Sequence, residues 1–167
     1  YMLALYLTVA QEHDADFAKL SGTTQNDIIK EYLSRGTYVF PPAPSMRLIT
    51  DMIAYTVANV PKWNPINVCS YHLQEAGATP VQEVAFALCT AIAVLDAVRY
   101  AGQVPEDRFG EVCARISFFV NAGVRVGAAI GKLPASLPLV DATTRDRIAD
   151  QDAAQRRRRS GVQMNYL

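Results

Sequence analysis

This sequence predicts an α/β fold of parallel strands, on three observations. Short, mostly apolar strand candidates at 20–24, 66–70 and 116–120 alternate with longer helical stretches. That order is the pattern of repeated parallel βα units. Glycine and proline punctuate the joins, and half of all residues are apolar, enough for one domain of 167 residues to bury a core.

The elements follow in order. Leu3, Leu5, Tyr6, Val9 and Ala10 recur at helical spacing over 2–13, and Asp14-Ala15-Asp16 ends that helix. Leu20 to Thr24 is the first strand. Asn26-Asp27 starts a short helix to about Leu33, and Gly36 suits its left-handed C-terminal cap. Thr37 to Pro44 is expected as a connection, because Pro41, Pro42 and Pro44 sustain neither a ladder nor a helix interior. Ser45 caps a helix from about Met46 to Asn59 with Ile49, Ile53 and Val57 on one face.

Pro61 and Pro65 bracket a turn before the second strand, Ile66 to Ser70. Thr79-Pro80, followed by Glu83, opens a long helix to about Tyr100, and Gly102 stops it. A short helix near 106–112 precedes the strand Ile116 to Val120. Beyond Val124 the pattern degrades, since Gly127, Gly131, Pro134 and Pro138 interrupt any helix there. Two segments are therefore expected: 1–123 as part of one barrel-type domain, and 124–167 as a degraded or frame-disturbed continuation of low order.

Composition narrows the function classes. Lys+Arg and Asp+Glu balance at 16 each, so no global field favours nucleic acid or an anionic membrane surface. No apolar run is read as reaching the roughly 18 residues of a membrane helix. Cys69, Cys89 and Cys113 form an odd set without CxxC spacing, so they read as buried small hydrophobes rather than a disulfide or zinc framework. They suit a reducing compartment, and the cytoplasm is the expected location. His13, beside Asp14 and Asp16, reads as a solvated helix end, and no metal site is expected. Gly131-Lys132 lacks the upstream glycine and following hydroxyl of a phosphate loop. Arg156 to Arg159 reads as a solvated basic end, given Asp141, Asp146, Asp150 and Asp152 nearby.

The most informative stretch is Val68-Cys69-Ser70-Tyr71-His72-Leu73-Gln74-Glu75-Ala76-Gly77. A β-branched run leads into a Tyr-His pair and a glycine-closed turn, and strand ends are where barrels of this class mount reacting groups. This decapeptide resembles the substrate barrel of adenosylcobalamin-dependent acyl-CoA mutases. So do Thr23-Thr24-Gln25-Asn26-Asp27, Lys30-Glu31-Tyr32 with Arg35-Gly36-Thr37-Tyr38, Pro41 to Arg47 with Pro61-Lys62-Trp63-Asn64, and Arg115-Ile116-Ser117-Phe118-Phe119. Asn67 to His72 and Phe118 to Gly123 look most like the ethylmalonyl-CoA branch of the family.

The resemblance implies a partial (β/α)8 TIM-barrel fragment, since a closed barrel takes about 250 residues, and an internal piece inactive by itself. Its intact parent would rearrange ethylmalonyl-CoA to methylsuccinyl-CoA; the alternatives are a methylmalonyl-CoA mutase, or a non-catalytic remnant or interaction module. It implies adenosylcobalamin bound mainly by a domain absent from this chain, an acyl-CoA substrate and a homodimeric parent. His72, Tyr71 and Gln25 would be catalytic, His72 donating to the thioester carbonyl. Arg35 would hold the substrate's free carboxylate, with Thr23, Arg115 and Ser117 also on the substrate, the last two along the CoA chain. Glu75 would face the adenosyl ribose. Gln25, Tyr71-His72 and Ser117 are all expected at or beyond the C-terminal halves of their strands, and so at one mouth.

Overall fold

The computed structural model describes residues 1–122, the single positions 127, 131, 132, 138, 139 and 142, and the backbone of 159–164. The Gly- and Pro-interrupted stretch after 123 and the run Arg156 to Arg158 lie largely outside the described residues, and with them the expected second segment. Helix α1 (Met2–Glu12) leads to β1 (Ser21–Thr23). A short α2 (Ile28–Lys30) widens at once into a π-helical turn, Glu31–Arg35. Asp27 caps α2 through the Lys30 N–H, and Gly36 ends the turn at φ 74°, as the sequence indicates.

Helix α3 (Pro42–Asn59) begins one turn earlier than expected. The first turn of a helix needs no backbone N–H donors, so Pro42 and Pro44 fit there, and Ser45 instead donates its hydroxyl to the Phe40 carbonyl. Between Pro61 and Pro65 lies an extra strand, β2 (Lys62–Asn64), where only a turn was expected. It pairs in parallel with β1, Gly22 opposite Trp63. A Cβ on Gly22 would lie 2.4 Å from the Trp63 ring, so the indole requires glycine there. Leu7, Val60 and Trp63 form a small core beneath α1.

A second parallel sheet has the order β3-β4-β5, from β3 (Ile66–Cys69), β4 (Ile116–Ala122) and β5 (Arg159–Met164). The described strands thus make two parallel sheets and no closed barrel. Between β3 and β4 run α4 (Tyr71–Glu75), α5 (Pro80–Ala101) and α6 (Phe109–Arg115). Thr79 caps α5, and its partner in the capping box is Gln82 rather than Glu83. Proline occupies the first helical position, so the third is Gln82, and Glu83 turns inward with Ala87 and Ala91.

By length and composition α5 could cross a membrane, contrary to the reading of the sequence. Here its Ala87, Ala91, Val94, Leu95 and Val98 pack with Ile49, Ile53 and Val57 of α3 onto the sheet, forming the main core. Cys69 and Cys113 are buried as expected. Cys89 is exposed because it lies on the outer face of α5, and all three cysteines are free.

Candidate functional site

The two faces of the β3–β4 pair differ in chemistry. Ile66, Val68, Ile116 and Phe118 join the main core beneath α3 and α5. Side chains alternate along a strand, so Asn67, Cys69, Ser117, Phe119 and Asn121 belong to the opposite face. That face is polar although deeply buried. Asn67 donates to the Ser117 hydroxyl at 2.8 Å, and Ser117 donates to the Ile66 carbonyl at 3.3 Å. The Oδ1 atoms of Asn67 and Asn121 are buried and have no hydrogen-bond partner among the described residues.

At the C-terminal end of the sheet, Ser70 turns the chain from β3 into the single turn of α4, which carries Tyr71 and His72. The two rings lie 3.7 Å apart, centroid to centroid, and Tyr71 meets the Phe119 ring edge-on at 5.1 Å. Gln25, just beyond β1, donates its amide to Cys69 Sγ at 3.7 Å, and Cys69 Sγ lies 3.5 Å from His72 Nδ1. Gln25, Tyr71 and His72 are thereby brought together as expected. Asp27 anchors the same point from below, its two carboxylate oxygens accepting from Lys30 N at 3.1 Å and Cys69 N at 3.2 Å.

Charge sets the protonation of this cluster. Burial pushes the His72 imidazole below its ordinary value, and the Lys30 and Arg35 cations push it further, against Glu75 and Glu31. The ring is therefore neutral at pH 7. Burial also raises the Tyr71 phenol and pushes the Cys69 thiol up to about 12, so both keep their protons. Asp27 is raised by burial in spite of its backbone hydrogen bonds. Burial works to raise Glu31 as well, but its bonds to Lys30 and Thr37 outweigh that and lower it.

Arg35 ends the π-helical turn with its side chain 48% exposed, 3.7 Å from Glu31. A contact that long and solvated leaves most of the guanidinium's donors available. Thr23 is exposed at the end of β1, its hydroxyl accepting from Asn64 at 3.0 Å. Glu75 is exposed on α4, the helix that carries His72.

Ser117, expected at the mouth, lies elsewhere, and so does Arg115, expected on the CoA chain. Ser117 is the second residue of a seven-residue strand, so it sits deep on the polar face near the N-terminal end of the sheet. Arg115 is the last residue of α6, just before β4, and the parallel pairing puts it at the end away from His72. Its guanidinium binds Glu111 at 2.7 Å and the Thr56 carbonyl at 3.2 Å.

A model of the methylmalonyl-CoA mutase family matches residues 1–161. The chain belongs to that family. It is 60% identical over all 167 residues to an ethylmalonyl-CoA mutase of Methylorubrum extorquens and 58% identical over all 167 to one of Cereibacter sphaeroides. Over 135 residues, 81% of the chain, it is 43% identical to the methylmalonyl-CoA mutase large subunit of Propionibacterium freudenreichii. The chain spans about a quarter of the ethylmalonyl-CoA mutases it matches, 24% and 25% of their lengths, and 18% of the large subunit.

Within this member of the mutase family, sequence reasoning missed three supporting groups. Glu83, fully buried, accepts from the Ser70 hydroxyl at 3.1 Å and the Asn121 N–H at 2.8 Å. Its other oxygen holds Lys132, which also donates to Gln74 on α4 and to the Asn121 carbonyl. Glu83 could have been found as the one charge on the inward stripe that continues through Ala87 and Ala91. Asp27 was read only as a cap, and Cys69 only as core. No group of three metal-binding side chains occurs among the described residues.

Proposed function

We propose that this chain is part of the substrate-binding (β/α)8 barrel of a cytoplasmic, homodimeric ethylmalonyl-CoA mutase, which isomerises ethylmalonyl-CoA to methylsuccinyl-CoA. What carries the reading is the match, along all 167 residues, to two ethylmalonyl-CoA mutases. On this reading particular groups take particular work. His72, neutral and at the strand end, donates a hydrogen bond to the thioester carbonyl. An imidazole held neutral polarises that oxygen without delivering a proton to it, and a preorganised donor strengthens as charge develops there. Gln25 and Tyr71 close the pocket around the same carbonyl, and Thr23 lines its β1 side.

Arg35 takes the free carboxylate of the acyl group. Its planar fork matches a carboxylate through two parallel N–H donors, and its solvated pairing with Glu31 is readily exchanged for that contact. From the mouth the CoA chain runs along the polar face past Asn67 toward Ser117 and Arg115. Orphaned acceptors on Asn67 and Asn121 support this path, because the amide N–H groups of the CoA arm are the donors they lack.

On this reading the cobalamin ring is carried mainly by another part of the parent enzyme. Glu75, exposed beside the mouth, fits a contact to the adenosyl ribose hydroxyls. Adenosylcobalamin, when bound, supplies the radical that initiates the rearrangement. This chain's residues position the acyl group, hold its charge and keep water from it.

The test is a chimera in which residues 1–122 replace the matching stretch of the Methylorubrum extorquens enzyme. It should isomerise ethylmalonyl-CoA in preference to methylmalonyl-CoA, and a reversed preference would make this a methylmalonyl-CoA mutase. Introducing His72→Ala should then lower kcat by about 10²–10³, the cost of removing one preorganised donor. A near-normal kcat would overturn the role of His72.

A further inference from the structure

We infer that Cys69, supported by Gln25, is a positioning residue that fixes the tautomer and orientation of His72. The inference rests on the reading that His72 donates to the thioester carbonyl, and it explains how one ring nitrogen is kept ready to donate.

Three features of the chain converge on that sulfur. Strand alternation turns the Cys69 side chain to the polar face, away from the α3 and α5 layer. Asp27 holds its backbone N–H, so the strand end is fixed. Ser70 then starts α4, and one turn places His72 three residues on, with Nδ1 at 3.5 Å from Sγ. A tilted contact with the Tyr71 ring, 3.7 Å between centroids, restrains the imidazole.

A neutral imidazole has one donor and one acceptor nitrogen, and the partner of one nitrogen decides the form of the other. Cys69 is completely buried. Were Nδ1–H to donate to the sulfur, that sulfur would face two donors, Gln25 and His72, and its own S–H would be left over. With S–H donating to Nδ1, each group uses one donor and one acceptor in the sequence Gln25 N–H, Cys69 S–H, His72 Nδ1. The proton of His72 is then on Nε2, the nitrogen facing away from Cys69 and free to meet a substrate. A thiol pushed up to about 12 keeps the proton this arrangement needs, and it is no nucleophile at neutral pH.

Two substitutions separate positioning from packing. Cys69→Val keeps a branched apolar shape but cannot donate, whereas Cys69→Ser is smaller yet retains an O–H donor. With only two histidines in the chain, isotope labelling of the ring nitrogens gives two resolved sets of signals, and His72→Gln assigns them. The starting protein and Cys69→Ser should hold His72 in the Nε2–H form, with Nδ1 at a hydrogen-bonded, unprotonated position. In Cys69→Val the Nδ1 signal should move and the Nδ1–H form should become populated.

In the chimera, Cys69→Val should lower kcat about five- to tenfold, the size of one lost hydrogen bond, with KM little changed. Cys69→Ser should stay within about twofold of the parent. An Nδ1–H ring in the starting protein, or equal kcat losses for Val and Ser, would overturn the inference. If His72→Ala costs its hundredfold while Cys69→Val costs nothing, the relay fails and the catalytic reading stands. If His72→Ala is itself without effect, the catalytic reading fails whatever the tautomer.

Discussion

The two ends of the β3–β4 sheet use the same kinds of residue to opposite ends. At the N-terminal end Arg108 and Arg115 converge on Glu111 at 2.7 Å, and each spends a further donor on a carbonyl in the last turn of α3, Val57 and Thr56. Both guanidiniums there are held by protein acceptors at more than one nitrogen. At the C-terminal end, among the described residues, Arg35 has one long ion pair, to Glu31, and His72 is held through Nδ1. Residue type does not separate a clamp from a site. What separates them is whether hydrogen-bonding capacity is left over.

The largest expected effect comes from the support behind the mouth. Glu83→Ala would strand the buried Lys132 ammonium and release Ser70 and Asn121. Breaking a buried pair by removing one partner costs about 3–5 kcal/mol. Urea denaturation should show that loss; a change below about 1 kcal/mol would mean the pair is solvated, as exposed pairs are. Arg115→Ala at the opposite end should cost less, about 1.5–3 kcal/mol, because Arg108 still holds Glu111. The same denaturation series checks it, and an effect equal to that of Glu83→Ala would erase the contrast between the two ends.

The smallest effect is in pH. The folded-state pKa of His72 lies below the ordinary 6.5, so the unfolded chain takes up its proton first as pH falls. Stability should be full above about pH 6.5 and decline below it until the folded ring also protonates. Melts from about pH 7 to about pH 5 should show a steeper decline in the original chain than in His72→Gln. Equal slopes would mean that the ring is freely solvated.

How much of this was legible beforehand follows from local chemistry. Asp27, Gly36, Thr79 and Gly102 act within a few residues of themselves, so their capping roles could be read directly. The clustering of Gln25, Tyr71 and His72 was legible because each lies within three residues of a strand end. Ser45 misled because a first helical turn tolerates proline, and β2 was hidden between Pro61 and Pro65 in only three residues. Glu83 and Lys132 are 49 residues apart, and nothing local marks one as the other's partner. Ser117 was read as a neighbour of His72 because the start of its strand was treated as its end.

The most direct test of a substrate mouth at the C-terminal end is a comparison of two ligands on one variant of the chimera, Arg35→Gln. The amide keeps hydrogen-bonding capacity but lacks the charge and the fork. Affinity for ethylmalonyl-CoA should fall at least about 10²-fold, equivalent to roughly 2.7 kcal/mol, because a substrate carboxylate is left desolvated and unpaired. Butyryl-CoA, which has no free carboxylate, should bind nearly as before. Equal losses for both ligands, or no loss for either, would contradict the account.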